Sequence, residues 1–242
     1  MHSEIKFLSL LILSTLAVAL GGGSTPAGAQ DMPECIADWT SRGHFVEVDG
    51  HQIFVHASGA EGAEGVLVVH GYPGSSWDFA EVVGPVAEKS RIVVPDMLGF
   101  GQSDKPLDGT YKQYYSLMKQ ADIYEAIARD EGLEEVILVA HDMGQTVGLE
   151  LMARQEEGKL PFRIKHAILL NGSTLVDMVE LAEMQKQLLK QPDKAATEDI
   201  PKEKFVEGMR PTYGPRYEDV DRALDCQANQ IVAKDGDKVM AQ

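Results

Sequence analysis

The first apolar stretch of the chain, residues 7–20 (FLSLLILSTLAVAL), runs without a charge between Lys6 and the triplet Gly21-Gly22-Gly23. Beyond it the pattern becomes periodic. Residues 44–58 alternate around Asp49-Gly50, the signature of a hairpin closed by a tight turn. Four short β-branched runs follow, at 65–70, 91–95, 135–140 and 164–170, and read as strands buried on both faces. Helical spacing fills the gaps at 77–89, 114–130 and 143–157. Strands alternating with helices predict βαβ units, hence an α/β fold with a mostly parallel sheet behind an antiparallel hairpin. After Asn171-Gly172 the sequence turns helix-like, polar and interrupted by proline, with no strand pattern up to Gln242. That stretch reads as a helical lid inserted over the sheet. The chain thus divides into a leader at 1–29, an α/β core at 30–174 and a lid at 175–242.

Lys6, the fourteen-residue apolar run and the small triplet Ala27-Gly28-Ala29 fit a signal for export cleaved after Ala29. Fourteen residues fall short of the roughly 20 that cross a bilayer. The expectation is therefore a periplasmic or secreted protein, with anchoring by an uncleaved leader as the alternative. Cys35 and Cys226 would then enter an oxidising compartment, where an even pair can form one bridge; the sequence leaves open whether they meet. Neither lies in a CxxC or His-rich setting, so no metal site is expected. With 44% hydrophobic and 25% charged residues the balance is globular, and 22 basic against 38 acidic side chains give a net charge of −16. Such a surface speaks against nucleic acid, whose phosphates need a positive face.

In an open α/β sheet ligands bind beyond the carboxyl ends of the strands. The run at 135–140 ends in Ala140-His141-Asp142-Met143-Gly144, directly ahead of a helix. Small residues two before and two after a central residue are what a sharp strand-to-helix elbow needs, since the central residue is strained and its neighbours crowd the backbone. Asp142 would stand at that centre. The same pentapeptide also suits a plain Asp N-cap, and by itself it leaves both readings open.

Two further strand ends add to it: His70-Gly71-Tyr72-Pro73, and Asp96-Met97-Leu98-Gly99-Phe100-Gly101-Gln102-Ser103. In this order and spacing the chain resembles the α/β-hydrolase superfamily, with its H-G-x-P loop, D-x-x-G-x-G-x-S loop and nucleophile elbow. Asp in place of Ser at the elbow is similar to the epoxide-hydrolase and haloalkane-dehalogenase branch. The resemblance implies Asp142 as nucleophile, the backbone N–H groups of Tyr72 and Met143 as oxyanion donors, and His70, Gly71, Pro73, His141 and Gly144 as the supporting motif. A carboxylate is ionised at neutral pH and can attack an sp³ carbon without a base. The resulting ester then needs an activated water and oxyanion donors.

Many dehalogenases carry Asn after the H-G pair and Trp after the nucleophile, whose side-chain N–H groups bind halide; here those positions are Tyr72 and Met143, so the resemblance favours an epoxide-hydrolase-like reaction over a dehalogenase-like one. In that branch lid tyrosines donate to the epoxide oxygen. Tyr213 and Tyr217 are the candidates, with packing on the lid as their competing role. Asn171-Gly172-Ser173, the 185–189 stretch, Tyr213-Gly214-Pro215 and Lys234-Asp235-Gly236-Asp237 look like the hydrolase group typified by the mesoderm-specific transcript protein. Gln145 departs from the pattern, standing where a second small residue is usual.

The superfamily places its acid and its histidine after strands that follow the lid. All seven histidines here (2, 44, 51, 56, 70, 141 and 166) precede the lid, and His166 is expected to pack within the sheet. The reading is of a C-terminally truncated hydrolase lacking the last strands, able to form the aspartyl ester and unable to turn over. A catalytically silent binding protein is the alternative. The resemblance implies a small hydrophobic substrate and no cofactor.

Overall fold

A computed structural model of the protein describes residues 32–107, 114–172, 180, 183, 186, 190, 199–215 and 217–239. The proposed leader and the 185–189 stretch apart from Lys186 lie outside the described residues, as does Ser173. Helix α1 (Glu34–Ser41) precedes the hairpin of β1 (His44–Val48) and β2 (His51–Ser58). The hairpin pairs His44 with Val55 and Val48 with His51. Asp49 and Gly50 both take positive φ, 50° and 80°, the paired left-handed turn whose twist matches that of the flanking strands.

Then come β3 (Gly65–Val69), a short 3₁₀ turn at Ser76–Phe79, α2 (Ala80–Ala87), β4 (Arg91–Pro95), α3 (Leu117–Asp130), β5 (Glu135–His141), α4 (Met143–Glu156) and β6 (Arg163–Leu170). The sheet order is β1-β2-β4-β3-β5-β6. β2 joins β4 antiparallel, whereas β4, β3, β5 and β6 run parallel. The chain moves outward from β3 to β4, then crosses back over β3 to begin β5. This reversal opens a crevice at the carboxyl ends of β3 and β5.

The period-2 alternation of the strands sorts the core into two layers. Leu67, Val69, Val93 and Leu138 pack with Ile123, Tyr124, Val147 and Leu151 on the α3/α4 side. Val66, Val68, Ile92 and Val94 pack with Trp39, Phe54 and Val83 on the other. The expectation of strands buried on both faces fails for β6: Ile168, Leu169 and Leu170 are exposed, and His166 is exposed instead of packed in the sheet. β6 is an edge among the described elements, so an apolar sequence there is not matched by cover. The lid residues form α5 (Lys202–Met209), α6 (Val220–Val232) and α7 (Gly236–Val239), and no strand occurs among the described residues 199–239.

Helix α1 carried no periodic signal strong enough to be predicted, and three contacts fix it. Trp39 stacks on His56 of β2 with ring centroids 3.8 Å apart. The indole N–H of Trp39 donates to Ser76 Oγ at 3.0 Å. Cys35 is bonded to Cys226 of α6 across 191 residues, which answers the pairing left open by the sequence. Closing so long a loop restricts the unfolded chain, so reduction, or Cys35→Ser with Cys226→Ser, is expected to lower stability by about 2–4 kcal/mol. Urea midpoints with and without reductant measure it; coincident midpoints would refute a stabilising bridge.

His56 is buried and its Nδ1 has no hydrogen-bond partner. Burial lowers its pKa from 6.5 to about 4, and the positive charges of Arg42 and His44 push the same way. Below pH 6.5 the unfolded chain protonates this imidazole while the folded chain does not. Stability is thus complete above pH 6.5 and declines as pH falls toward 4, by about 2–3 kcal/mol from this group. In His56→Phe, which retains a ring against Trp39, that component of the pH dependence should vanish, as read from urea unfolding at pH 7 and pH 4.5. An unchanged difference between the two pH values would contradict the assignment.

Candidate active site

The loop after β3 and the turn after β5 meet at the crevice because their glycines let backbones approach. A side chain on Gly144 would strike the backbone oxygens of His70 and Val69, the latter at 2.7 Å. One on Gly71 would lie 2.5 Å from Asp142 Cβ. Asp142 itself has φ 52° and ψ −124°, a sparsely populated conformation for a residue with a Cβ. Its N–H donates to Leu170 O at 2.9 Å, continuing the β5–β6 ladder, and its C=O accepts from Gln145 N–H at 3.0 Å. The side chain makes no capping bond to α4. It turns to the other loop, where Oδ1 accepts the Tyr72 N–H at 2.8 Å. Of the two readings the pentapeptide allowed, the simple N-cap is thereby removed.

Met143 is the first residue of α4, so its amide has no acceptor inside the helix. His70 is fully buried; its Nε2 accepts the Met97 N–H at 2.9 Å, which leaves Nδ1 to donate to Gly71 O at 3.0 Å. Burial lowers its pKa, against the opposing charge of Asp96, so both nitrogens of a neutral ring are committed to holding the loop. Pro73 follows a cis Tyr72-Pro73 bond. Burial, with the Asp142 charge adding, raises the Tyr72 phenol to about 12. Gln145 is buried, and a side chain on Gly172 would lie 2.5 Å from its Cβ; the small residue missing at 145 is supplied from across the turn.

The D-x-x-G-x-G-x-S loop is a clasp beneath this site. Asp96, fully buried, accepts Ser76 N–H at 2.7 Å on Oδ1 and Gln102 N–H at 2.6 Å on Oδ2. Ser103 Oγ donates to Asp96 O and accepts from Phe54 N–H, each at 2.9 Å. Gly99 and Gly101 take φ of 93° and 51° to close the turn.

Above the crevice lies a cavity of about 350 Å³ reached by His141 and Leu170, which flank Asp142 in the chain and the ladder. Tyr213 and Tyr217 line it as well, and their hydroxyls donate inward to the protein: Tyr213 to Gln227 Oε1 at 2.7 Å, Tyr217 to Glu81 Oε1 at 2.8 Å. Burial raises the pKa of both phenols, with Asp78 adding at Tyr213 and Glu81 at Tyr217. Sequence reasoning missed Trp77, Asp78, Glu81 and Gln227, which complete this wall. The only trace was local: Ser75 and Asp78 form a reciprocal capping box at the start of the 3₁₀ turn. Gln227 Nε2 donates to Asp78 Oδ1 at 2.6 Å, and Ser75 N–H donates to Oδ2 at 3.3 Å. Desolvation pushes the Asp78 carboxyl up to about 6 against these donors, although part of the side chain faces the cavity.

Among the described residues, one group has ligand atoms close enough to share a metal ion: His44, Asp130 and Glu131. They border a larger cavity of about 950 Å³ at the amino ends of β3 and β5, opposite the elbow. Glu131 is already engaged there by His44 at 2.9 Å and Arg91 at 2.7 Å.

The alpha/beta hydrolase fold family matches residues 65–212. The chain is 30% identical over 204 residues to the putative hydrolase LipZ of Mycobacterium tuberculosis, covering 84% of this chain and 69% of that protein. It is 32% identical over 209 residues to the mesoderm-specific transcript homolog protein of Bos taurus, covering 83% and 61%. The solved structure of the epoxide hydrolase CorEH aligns with a TM-score of 0.61 at 17% identity, over 81% of this chain and 71% of that one, a likeness of fold.

Proposed function

Since this chain belongs to the alpha/beta hydrolase fold family, we propose that it is a hydrolase working through an ester of Asp142, with an epoxide-hydrolase-like first step. The observation carrying the proposal is the Asp142 carboxylate, held in strained backbone and hydrogen-bonded by the Tyr72 N–H at 2.8 Å. Oδ1 is occupied by that donor, which leaves Oδ2 to attack. A new bond from Oδ2 to an epoxide carbon breaks the ring C–O bond, and the alkoxide released takes a proton from solvent or a neighbouring donor. Oδ1 becomes the ester carbonyl oxygen. When water adds to that ester, negative charge gathers on Oδ1, already beside the Tyr72 N–H, and the adjoining amide of Met143, which has no acceptor within its helix, is the second donor.

Ring opening is preferred to halide displacement because neither the Tyr72 nor the Met143 side chain carries an N–H for a halide. His70 is committed to the loop through both ring nitrogens, so it is not the group that activates water against the ester. The apolar leader sequence and the Cys35–Cys226 bond together support an exported protein. Among the described residues no helix is long and apolar enough to cross a membrane.

Incubation with a panel of small epoxides followed by peptide mass spectrometry tests the chemistry. The peptide containing Asp142 should gain the mass of one epoxide, and hydrolysis in ¹⁸O-water should carry label into the Asp142 carboxyl. Modification of other carboxylates with none at Asp142 would end the proposal.

A further inference from the structure

The 350 Å³ cavity beside the elbow, which His141 and Leu170 line and Asp142 itself does not, has walls of a particular chemistry. Trp77, Tyr213 and Tyr217 present aromatic surface to it, the two tyrosine rings meeting edge to face with centroids 5.1 Å apart. Aromatic faces carry the negative end of a quadrupole and attract cations. Two carboxylates, Asp78 and Glu81, share the same walls. Each receives neutral donors, Gln227 and the Ser75 N–H on Asp78, Tyr217 on Glu81. Among the described residues neither stands in an ion pair; Arg42 and Arg222 border the adjoining cavity on the far side of Glu81, which leaves Asp78 as the acid turned to this one. His141, on the floor, is the residue before Asp142.

We propose that this cavity binds the cationic head of an ammonium-bearing substrate, with its reactive carbon toward Asp142. Three aromatic surfaces and the Asp78 carboxylate form a site into which an anion would bring like charge, while an uncharged alkyl group would gain burial alone. The tyrosine hydroxyls fit this role: the single hydrogen of each is given to Gln227 or Glu81, which orders the acids and turns the rings to the cavity. A surface of net charge −16 also raises the local concentration of cations. The inference deepens the proposed reaction and rests on reading this cavity as the substrate's place.

The test compares choline with its uncharged isostere 3,3-dimethyl-1-butanol and with the anion 3,3-dimethylbutanoate, by calorimetry on the full chain at pH 7.5. Choline should bind at least tenfold more tightly than the isostere, and the anion should not bind measurably. Asp78→Asn should remove that advantage while leaving the isostere unchanged. Trp77→Leu should weaken choline severalfold, and it serves as the second variant if Asp78→Asn fails to fold. Equal affinity for choline and its isostere in the unaltered protein would overturn the inference, as would a choline preference untouched by both variants. Asp142→Asn should keep the choline preference. Loss of preference with Asp142 labelling intact condemns the cation site alone; preference without labelling condemns the nucleophile and leaves a cation-binding cavity.

Discussion

Asp142→Asn is expected to fold as the parent does and to lose covalent labelling by about a thousandfold or more. The substitution separates chemistry from architecture. Asn has the same branching and size as Asp, so the strain of φ 52° and ψ −124° is left as it is. Its side-chain oxygen can still receive the Tyr72 N–H, and the elbow should hold. What disappears is the second anionic oxygen, the one free to attack. Asp142→Ala is a poorer test, because it removes the acceptor for Tyr72 as well and places a residue without local hydrogen bonding in strained backbone; a loss of about 1–3 kcal/mol of stability would accompany it. The measurement is the rate of mass gain at the Asp142 peptide, beside thermal unfolding of each variant. Labelling of Asp142→Asn at the parental rate would mean that the reacting carboxylate lies elsewhere.

Gly144→Ala should be the most damaging single methyl in the molecule, costing about 3 kcal/mol or more. Two effects oppose each other there. In a helix interior Gly→Ala gains about 1 kcal/mol, and at Gly144, the second residue of α4, at most that much. Against it, the new Cβ would meet the carbonyl oxygens of His70 and Val69, both main chain and both part of the end of β3. No flexible side chain can give way, so α4 must draw back from β3. The elbow would then move off Tyr72 and separate the 2.8 Å contact on which the proposed chemistry depends. The expected result is a lower urea midpoint together with slower labelling, whereas Gly132→Ala, an exposed control with open space around it, should lose stability only through its φ of 66°. An unperturbed Gly144→Ala would show that this approach is looser than the backbone positions imply.

The elbow was legible because its constraint is local. A strand signal, a helix signal and small residues at 140 and 144 must coincide for the backbone to turn so sharply, and each is written in adjacent residues. The hairpin at Asp49-Gly50 was legible for the same reason. The D-x-x-G-x-G-x-S loop was visible as a motif, yet its work was not: the clasp made by Asp96 joins amides at 76 and 102, and the partner of Ser103 is in β2. Burial of β6 was misjudged because apolar composition reports what a strand could bury and says nothing of whether another element arrives to cover it.

The acidic part of the cavity wall left no trace in the sequence. Asp78 and Glu81 lie in a polar turn, Gln227 on a helix 149 residues beyond Asp78, and nothing local couples them. Tyr213 and Tyr217 drew attention as donors to a leaving oxygen; their hydroxyls are spent on Gln227 and Glu81, and only the fold shows which way they point. Whether the Asp142 side chain caps the helix or turns to the Tyr72 loop was likewise undecidable from five residues, since both place Asp before the same helix.

The amino-acid order alone fixed the alternation of strands and helices, the tight turns and the excess of acid, because each depends on backbone preference or composition within a few residues. Tertiary packing decided the direction of the Asp142 side chain, the meeting of Cys35 with Cys226, the neutral burial of His56 and the acidic aromatic cavity. Those depend on which distant surfaces close against one another, a property of shape and solvent exclusion that no short stretch of chain carries.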